Sequence, residues 1–70
     1  MNLGPLEERV MEKIWEANDK TTVREIWESM DEYAYTTILT IFQKLERKGF
    51  IEGWLEGKVK VFKPKISREE

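Results

Sequence analysis

The chain of 70 residues contains no cysteine and no histidine. Without cysteine, disulfides and thiolate metal sites are excluded, and without histidine the chain lacks the commonest general base and the commonest metal ligand. No cofactor, metal or catalytic group is expected, and the chain does not read as an enzyme. It also lacks any apolar run near the roughly 18 residues that a bilayer-spanning helix needs. The N-terminal MNLGPLEE has none of the basic-then-apolar layout of a signal peptide. The expected location is the cytoplasm, with no membrane contact. Internal repeats and low-complexity segments are absent as well, so one small architecture has to account for the whole sequence. A chain of this length buries only about 60% of the surface its unfolded form exposes, which leaves room for one economical core. An apolar fraction of 40% against a charged fraction of 37% still places it among globular chains rather than disordered ones.

What the sequence does have is a sharp division of charge. The net charge is −2. Residues 1–35 carry nine acids against four bases, a balance of −5, whereas residues 36–65 carry seven bases against three acids, a balance of +4. A basic half is the electrostatic footprint that phosphate binding requires. A lysine-rich hairpin also discourages edge-to-edge strand pairing, so charge alone does not choose between the two.

The organising stretch lies at the start of the basic half. In YTTILTIFQKLERKG, residues 35–49, the apolar Ile38, Ile41, Phe42 and Leu45 fall at i, i+3, i+4 and i+7, the spacing that lines one buried face of a helix. The opposite face carries Thr36, Thr40, Gln43 and Arg47, with Leu39 and Lys44 at its margins, and Gly49 is placed to end the helix in the left-handed conformation. Hydroxyls and amides can read base edges in a DNA major groove, and lysine or arginine can meet phosphates; taken alone, the same face is equally an ordinary solvated one.

Upstream, Gly4-Pro5 opens a first helix with Pro at its start and Glu7 and Glu8 in the first turn, where the helix dipole favours acids. Leu6, Val10, Ile14 and Ala17, widened by Met11 and Trp15, form its inner stripe, while Glu8, Glu12 and Glu16 recur every four residues as a solvated face. Thr22-Val23-Arg24-Glu25 has the form of a capping box and starts a short second helix with Val23, Ile26, Trp27 and Met30 inward. A connection of three or four residues then leads to the third helix, the layout of a helix-turn-helix. Ala34 is a poor cap for that third helix. After Gly49 the period changes to two short alternating runs around Glu56-Gly57, a two-stranded hairpin closed by Pro64. Alternation leaves the facing of its second strand open, because Val59 and Val61 are out of phase with Phe62; a bulge or twist near its end is one way to reconcile them. The expected fold is α+β, mainly α: a winged helix-turn-helix, three helices followed by a hairpin wing, over residues 1–66, with 67–70 as a tail.

These residues also form a pattern. Leu6-Glu7, Val10-Met11, Ile14-Trp15, Thr22-Val23-Arg24-Glu25-Ile26, and above all Ala34-Tyr35-Thr36-Thr37-Ile38 with Thr40, Leu45 and Lys48-Gly49, ending at Phe62-Lys63-Pro64, resemble the N-terminal domain of the penicillinase-repressor family. That family of bacterial and archaeal regulators includes the β-lactamase, methicillin-resistance and copper-transport repressors. The resemblance implies a homodimeric repressor that occupies an operator, with residues 35–48 as the helix entering the major groove. By position it implies that Thr36, Thr37, Thr40 and Gln43 read bases and that Lys44 and Arg47 sit near the backbone. Leu39 departs from the polar residue some relatives place there, which leaves contact with a thymine methyl as its part in base reading. Tyr35, Lys44, Arg47, Lys58 and Lys60 form the expected phosphate-contacting set. The expected partner is double-stranded DNA carrying a pseudo-palindromic operator; in the family a C-terminal helical segment supplies most of the dimer interface, and this sequence stops where that segment would begin. The protein itself is then a monomer or weak dimer in solution that pairs on that operator. The competing expectation is a winged helix used for protein docking, through the third-helix face or an exposed Trp54.

Overall fold

The computed structural model describes residues 3–68. Three helices, α1 (Pro5–Glu16), α2 (Val23–Ser29) and α3 (Tyr35–Arg47), are followed by strands β1 (Ile51–Glu56) and β2 (Val59–Pro64). The architecture is the expected one, mainly helical with an antiparallel hairpin at the end. The last two residues of the expected tail lie outside the described residues.

Val10, Met11 and Ile14 of α1, Val23 and Ile26 of α2, and Ile38, Ile41, Phe42 and Leu45 of α3 meet in a single core closed from below by Ile51 and Phe62 of the hairpin. Phe42 and Phe62 pack edge to face with ring centroids 4.9 Å apart, which joins α3 to β2 at the centre. An isolated hairpin is marginal in water, and this contact is what the wing leans on.

Helix ends follow local chemistry. Thr22 caps α2: its hydroxyl accepts from the Glu25 amide at 3.1 Å and the Glu25 carboxylate accepts from the Thr22 amide at 3.0 Å, the reciprocal box read from the sequence. At the end of α3, Gly49 takes φ +84°. There the Phe50 amide donates to the Leu45 carbonyl (3.0 Å) and the Gly49 amide to the Glu46 carbonyl (3.1 Å). This pair of bonds is a Schellman ending, and it turns the chain straight into β1. Gly57, at φ +64°, occupies the first central position of the two-residue hairpin turn.

The open question of β2 resolves without a bulge. Its register with β1 is regular from Ile51 opposite Pro64 to Glu56 opposite Val59, yet Val61 and Phe62 are both buried. Phe62 faces the helices and Val61 the other side of the ribbon, opposite Trp54. The sequence reading missed two causes. Thr21 forms an isolated bridge with Phe62, exchanging both backbone hydrogen bonds at 2.9 and 2.8 Å, so β2 is flanked on both edges. Gly53 lies opposite Phe62, and a β-carbon there would come within 2.7 Å of the ring, so only glycine admits the close approach. Trp54 is half-buried rather than exposed, and its indole N–H donates to the Glu56 carboxylate at 3.1 Å. Among the described residues, the exposed large apolar ones are instead Tyr35, Leu55 and Val59.

Candidate nucleic-acid interface

The turn into α3 spans residues 30–34, one longer than the upper end of the expected connection, because Met30 forms the buried C-cap of α2. Ala34 gives α3 no side-chain cap, and the turn is held from elsewhere. The Trp27 indole N–H donates to the Tyr33 carbonyl (2.9 Å), Arg9 donates to the Tyr33 hydroxyl (3.0 Å) and to Glu32 (3.1 Å), and Trp27 meets Tyr35 edge to face at 5.6 Å. Side chains from α1 and α2 therefore fix the angle at which α3 leaves the turn.

With Ile38, Ile41, Phe42 and Leu45 turned inward, Thr36, Thr40, Gln43, Lys44 and Arg47 stand exposed on the outer side of α3. Thr37 is half-buried at the edge of this face. The Thr40 hydroxyl donates to the Thr36 carbonyl at 2.9 Å, so its proton is committed to the helix and it offers outward an acceptor oxygen and a methyl group. Leu39 differs from its neighbours. It is half-buried, packed against the core, and faces a groove between α2, α3 and the wing.

Ion pairing sharpens the division of charge. Arg9, Lys20, Arg24, Lys48, Lys60 and Arg68 are engaged with Glu32, Glu56, Glu28, Glu7, Glu46 and Glu12 respectively. Among the described residues, Lys44, Arg47, Lys58, Lys63 and Lys65 pair with no acid, and all five belong to α3, the wing or the segment just after it. Lys13 on α1 likewise forms no ion pair among the described residues. Among the described residues, the acids that form no ion pair are Glu8, Glu16, Asp19, Glu25 and Asp31 in the first half and Glu52 in the wing. The face of α3 and the wing is thus free to attract anions after internal pairing is complete.

Two basic residues of this half have internal partners that the sequence did not disclose. Lys60 reaches back to Glu46 of α3 at 3.5 Å and lies over the Phe62 ring, 5.3 Å from its centroid, which ties the wing to the helix. Lys48 donates to both oxygens of Glu7 at 3.1 and 3.0 Å, and Glu7 also accepts from the Gly4 amide at 2.9 Å. That amide bond and then Lys48 hold the buried Glu7 carboxyl below the ordinary carboxylate range. Glu7 is therefore a clasp between the start of α1 and the end of α3, besides being a first-turn acid.

The sequence matches the model of the penicillinase repressor family over residues 3–70. The chain belongs to the penicillinase repressor family. Its relatives include the transcriptional regulator BlaI of two Mycobacterium tuberculosis strains, CDC 1551 / Oshkosh and ATCC 25618 / H37Rv, each 31% identical over 71 residues. The match covers 97% of this chain and 51% of each relative, so the chain spans about half the length of the curated relatives it matches. The family is one of transcriptional regulators and not of enzymes. Within this penicillinase repressor domain, no helix among the described residues is long and apolar enough to cross a membrane.

Proposed function

We propose that this chain is the DNA-binding domain of a transcriptional repressor that works in the cytoplasm by occupying an operator, with α3 lying in the major groove. The observation that carries this reading is the set of cations on α3 and the wing that form no ion pair among the described residues, surrounding an outer helix face of hydroxyls and one amide. In it, Thr36, Thr37, Thr40 and Gln43 read bases, with Leu39 at the margin. The Gln43 amide suits a bidentate contact to adenine, and Thr40, with its proton already committed, accepts from an exocyclic amine or touches a thymine methyl. Tyr35, Lys44, Arg47, Lys58 and Lys60 meet phosphates and set the register on the duplex.

Two copies act together on a pseudo-palindromic site. The domain exposes 4734 Å² in all, and an obligate dimer commonly buries about 2,000 Å² or more in total. Such an interface would take roughly a fifth of each copy's surface. We place the pairing on the DNA, with a monomer or weak dimer in solution. The longest dimension of the domain, 31 Å, lets two copies sit side by side on half-sites about one helical turn, or ~34 Å, apart.

Titration of duplex DNA at several salt concentrations tests the reading. Several phosphate contacts predict a loss of affinity linear in log salt with a slope of about −0.9 per neutralised phosphate. Affinity for DNA that is absent or indifferent to salt would leave a protein-docking module as the better description.

A further inference from the structure

The outer face of α3 and the tip of the wing do not account for the groove between them, where α3, the start of α2 and the wing come together. Arg24, Lys58 and Lys60 line it and, among the described residues, no carboxylate does. The hollows around α1 are different: Glu8 and Glu12 oppose Arg9 in one, and Glu16 and Glu25 oppose Lys13 and Lys20 in the other. The lining is also apolar. Tyr35 and Val59, two of the exposed large hydrophobic residues, meet here with Leu39. Cations beside an apolar floor are complementary to a ligand that carries anionic groups at intervals with apolar rings between them.

We propose that one strand of bound DNA threads its sugar–phosphate backbone through this groove, deoxyribose against Leu39 and Val59 and a phosphate between Arg24 and Lys58. The inference rests on the DNA-binding reading and deepens it. It moves Leu39 from the base edges to the backbone, which explains why an apolar residue half-buried against the core stands beside an otherwise polar face. It also recruits a residue from the acidic half of the chain. Arg24 is paired with Glu28 one helical turn on at 3.3 Å, but the two side chains are 74% and 57% exposed, and ion pairs this open are weak enough to yield the guanidinium to a phosphate. Lys60 lines the same groove while held by Glu46 at 3.5 Å and by the Phe62 ring beneath it.

The test compares Arg24→Gln, Leu39→Ala and Val59→Ala with the unaltered chain, on a random-sequence duplex and on a duplex selected from a random pool for tight binding. Arg24→Gln is expected to weaken both duplexes alike, by roughly three- to tenfold, and to make the salt slope shallower by about one. Leu39→Ala and Val59→Ala are expected to weaken both alike, by roughly two- to fivefold, with the slope unchanged. Because Leu39 also packs on the core, Val59, at an exposed strand position, repeats the measurement without disturbing it, and circular dichroism confirms that each variant is folded. A loss for Leu39→Ala confined to the selected duplex would return Leu39 to base reading and overturn the proposal. So would unchanged binding by both Arg24→Gln and Val59→Ala while Arg47→Ala weakens it, a result that leaves the DNA-binding reading standing. An unaltered chain that binds neither duplex at any salt concentration would remove that underlying reading as well.

Discussion

Helices α1 and α3 are nearly the same length, 12 and 13 residues; α3 gives four residues to the common core, and α1 gives three and buries Glu7 beside them. Their outer sides have little in common. On α1, Glu8, Glu12 and Glu16 recur along the solvated face, and the basic Arg9 is drawn into the turn ahead of α3. On α3 the solvated face holds threonines, a glutamine and cations that form no ion pair among the described residues. The inner faces are dictated by the core and would be apolar whatever the protein did. The outer faces are under no such demand, so the contrast between them is where function is legible. On the proposed DNA-binding reading, an anionic scaffold helix also keeps the rest of the surface from competing with α3 for a polyanion.

The comparison breaks most completely from the inside. Phe42→Ala removes the ring that joins α3 to Phe62 at the centre of the core, and is expected to cost about 3–5 kcal/mol of stability. In a domain this small that is a large share of the total, so urea denaturation should show a greatly lowered midpoint, and DNA binding should be lost together with the fold.

Gln43→Ala separates the two properties. Its side chain is exposed, so stability should hold within about 0.5 kcal/mol. Binding to a selected operator should weaken by about 1–3 kcal/mol while random DNA is bound nearly as before. Equal losses on both duplexes, measured by fluorescence anisotropy, would assign Gln43 to the backbone.

A third change addresses the clasp between the two helices. Because the folded protein holds the Glu7 carboxyl below its ordinary range, first through the Gly4 amide and then through Lys48, the unfolded chain takes up that proton at higher pH. The stabilisation is therefore complete at neutral pH and is lost as pH falls below the ordinary carboxylate range through the lowered value. Glu7→Gln should cost about 1 kcal/mol at pH 7 and flatten the acid limb of stability against pH. A variant whose stability falls with acid as steeply as the parent's would show that other carboxylates carry the effect.

The smallest effect is the control. Glu16→Gln alters the outer face of α1 at a residue without an ion-pair partner among the described residues, and should change stability by no more than about 0.5 kcal/mol. Binding to operator and random DNA should change by less than it does for Gln43→Ala on the operator.

The features legible in the sequence are those written within a few residues of one another. The inward stripe of α3, the Thr22–Glu25 box, the left-handed Gly49 and the turn glycine Gly57 each follow from spacing or from one residue's conformational range. What escaped depends on contacts between distant parts of the chain. Lys48 and Glu7 are 41 positions apart, and nothing near either distinguishes them from the other surface charges. Thr21 adds a single bridge beside β2, too short to leave a strand pattern, yet it helps to explain how Val61 and Phe62 are both buried. Trp54 looked exposed because its partner across the ribbon could not be chosen until Phe62 was known to face Gly53. For the candidate site, the sequence located the outer face of α3 and the wing lysines. It gave no sign that Leu39 belongs to a groove shared with Arg24 and Val59.

The account is tested most directly by following backbone amide resonances of the isotopically labelled protein as a duplex is added. The largest shifts are expected along the outer side of α3, at Thr36, Thr40, Gln43 and Arg47, and at the wing around Lys58, with Glu8, Glu12 and Glu16 of α1 scarcely moved. Shifts concentrated on α1, with α3 silent, would contradict the claim that the outer face of α3 is the surface that meets DNA.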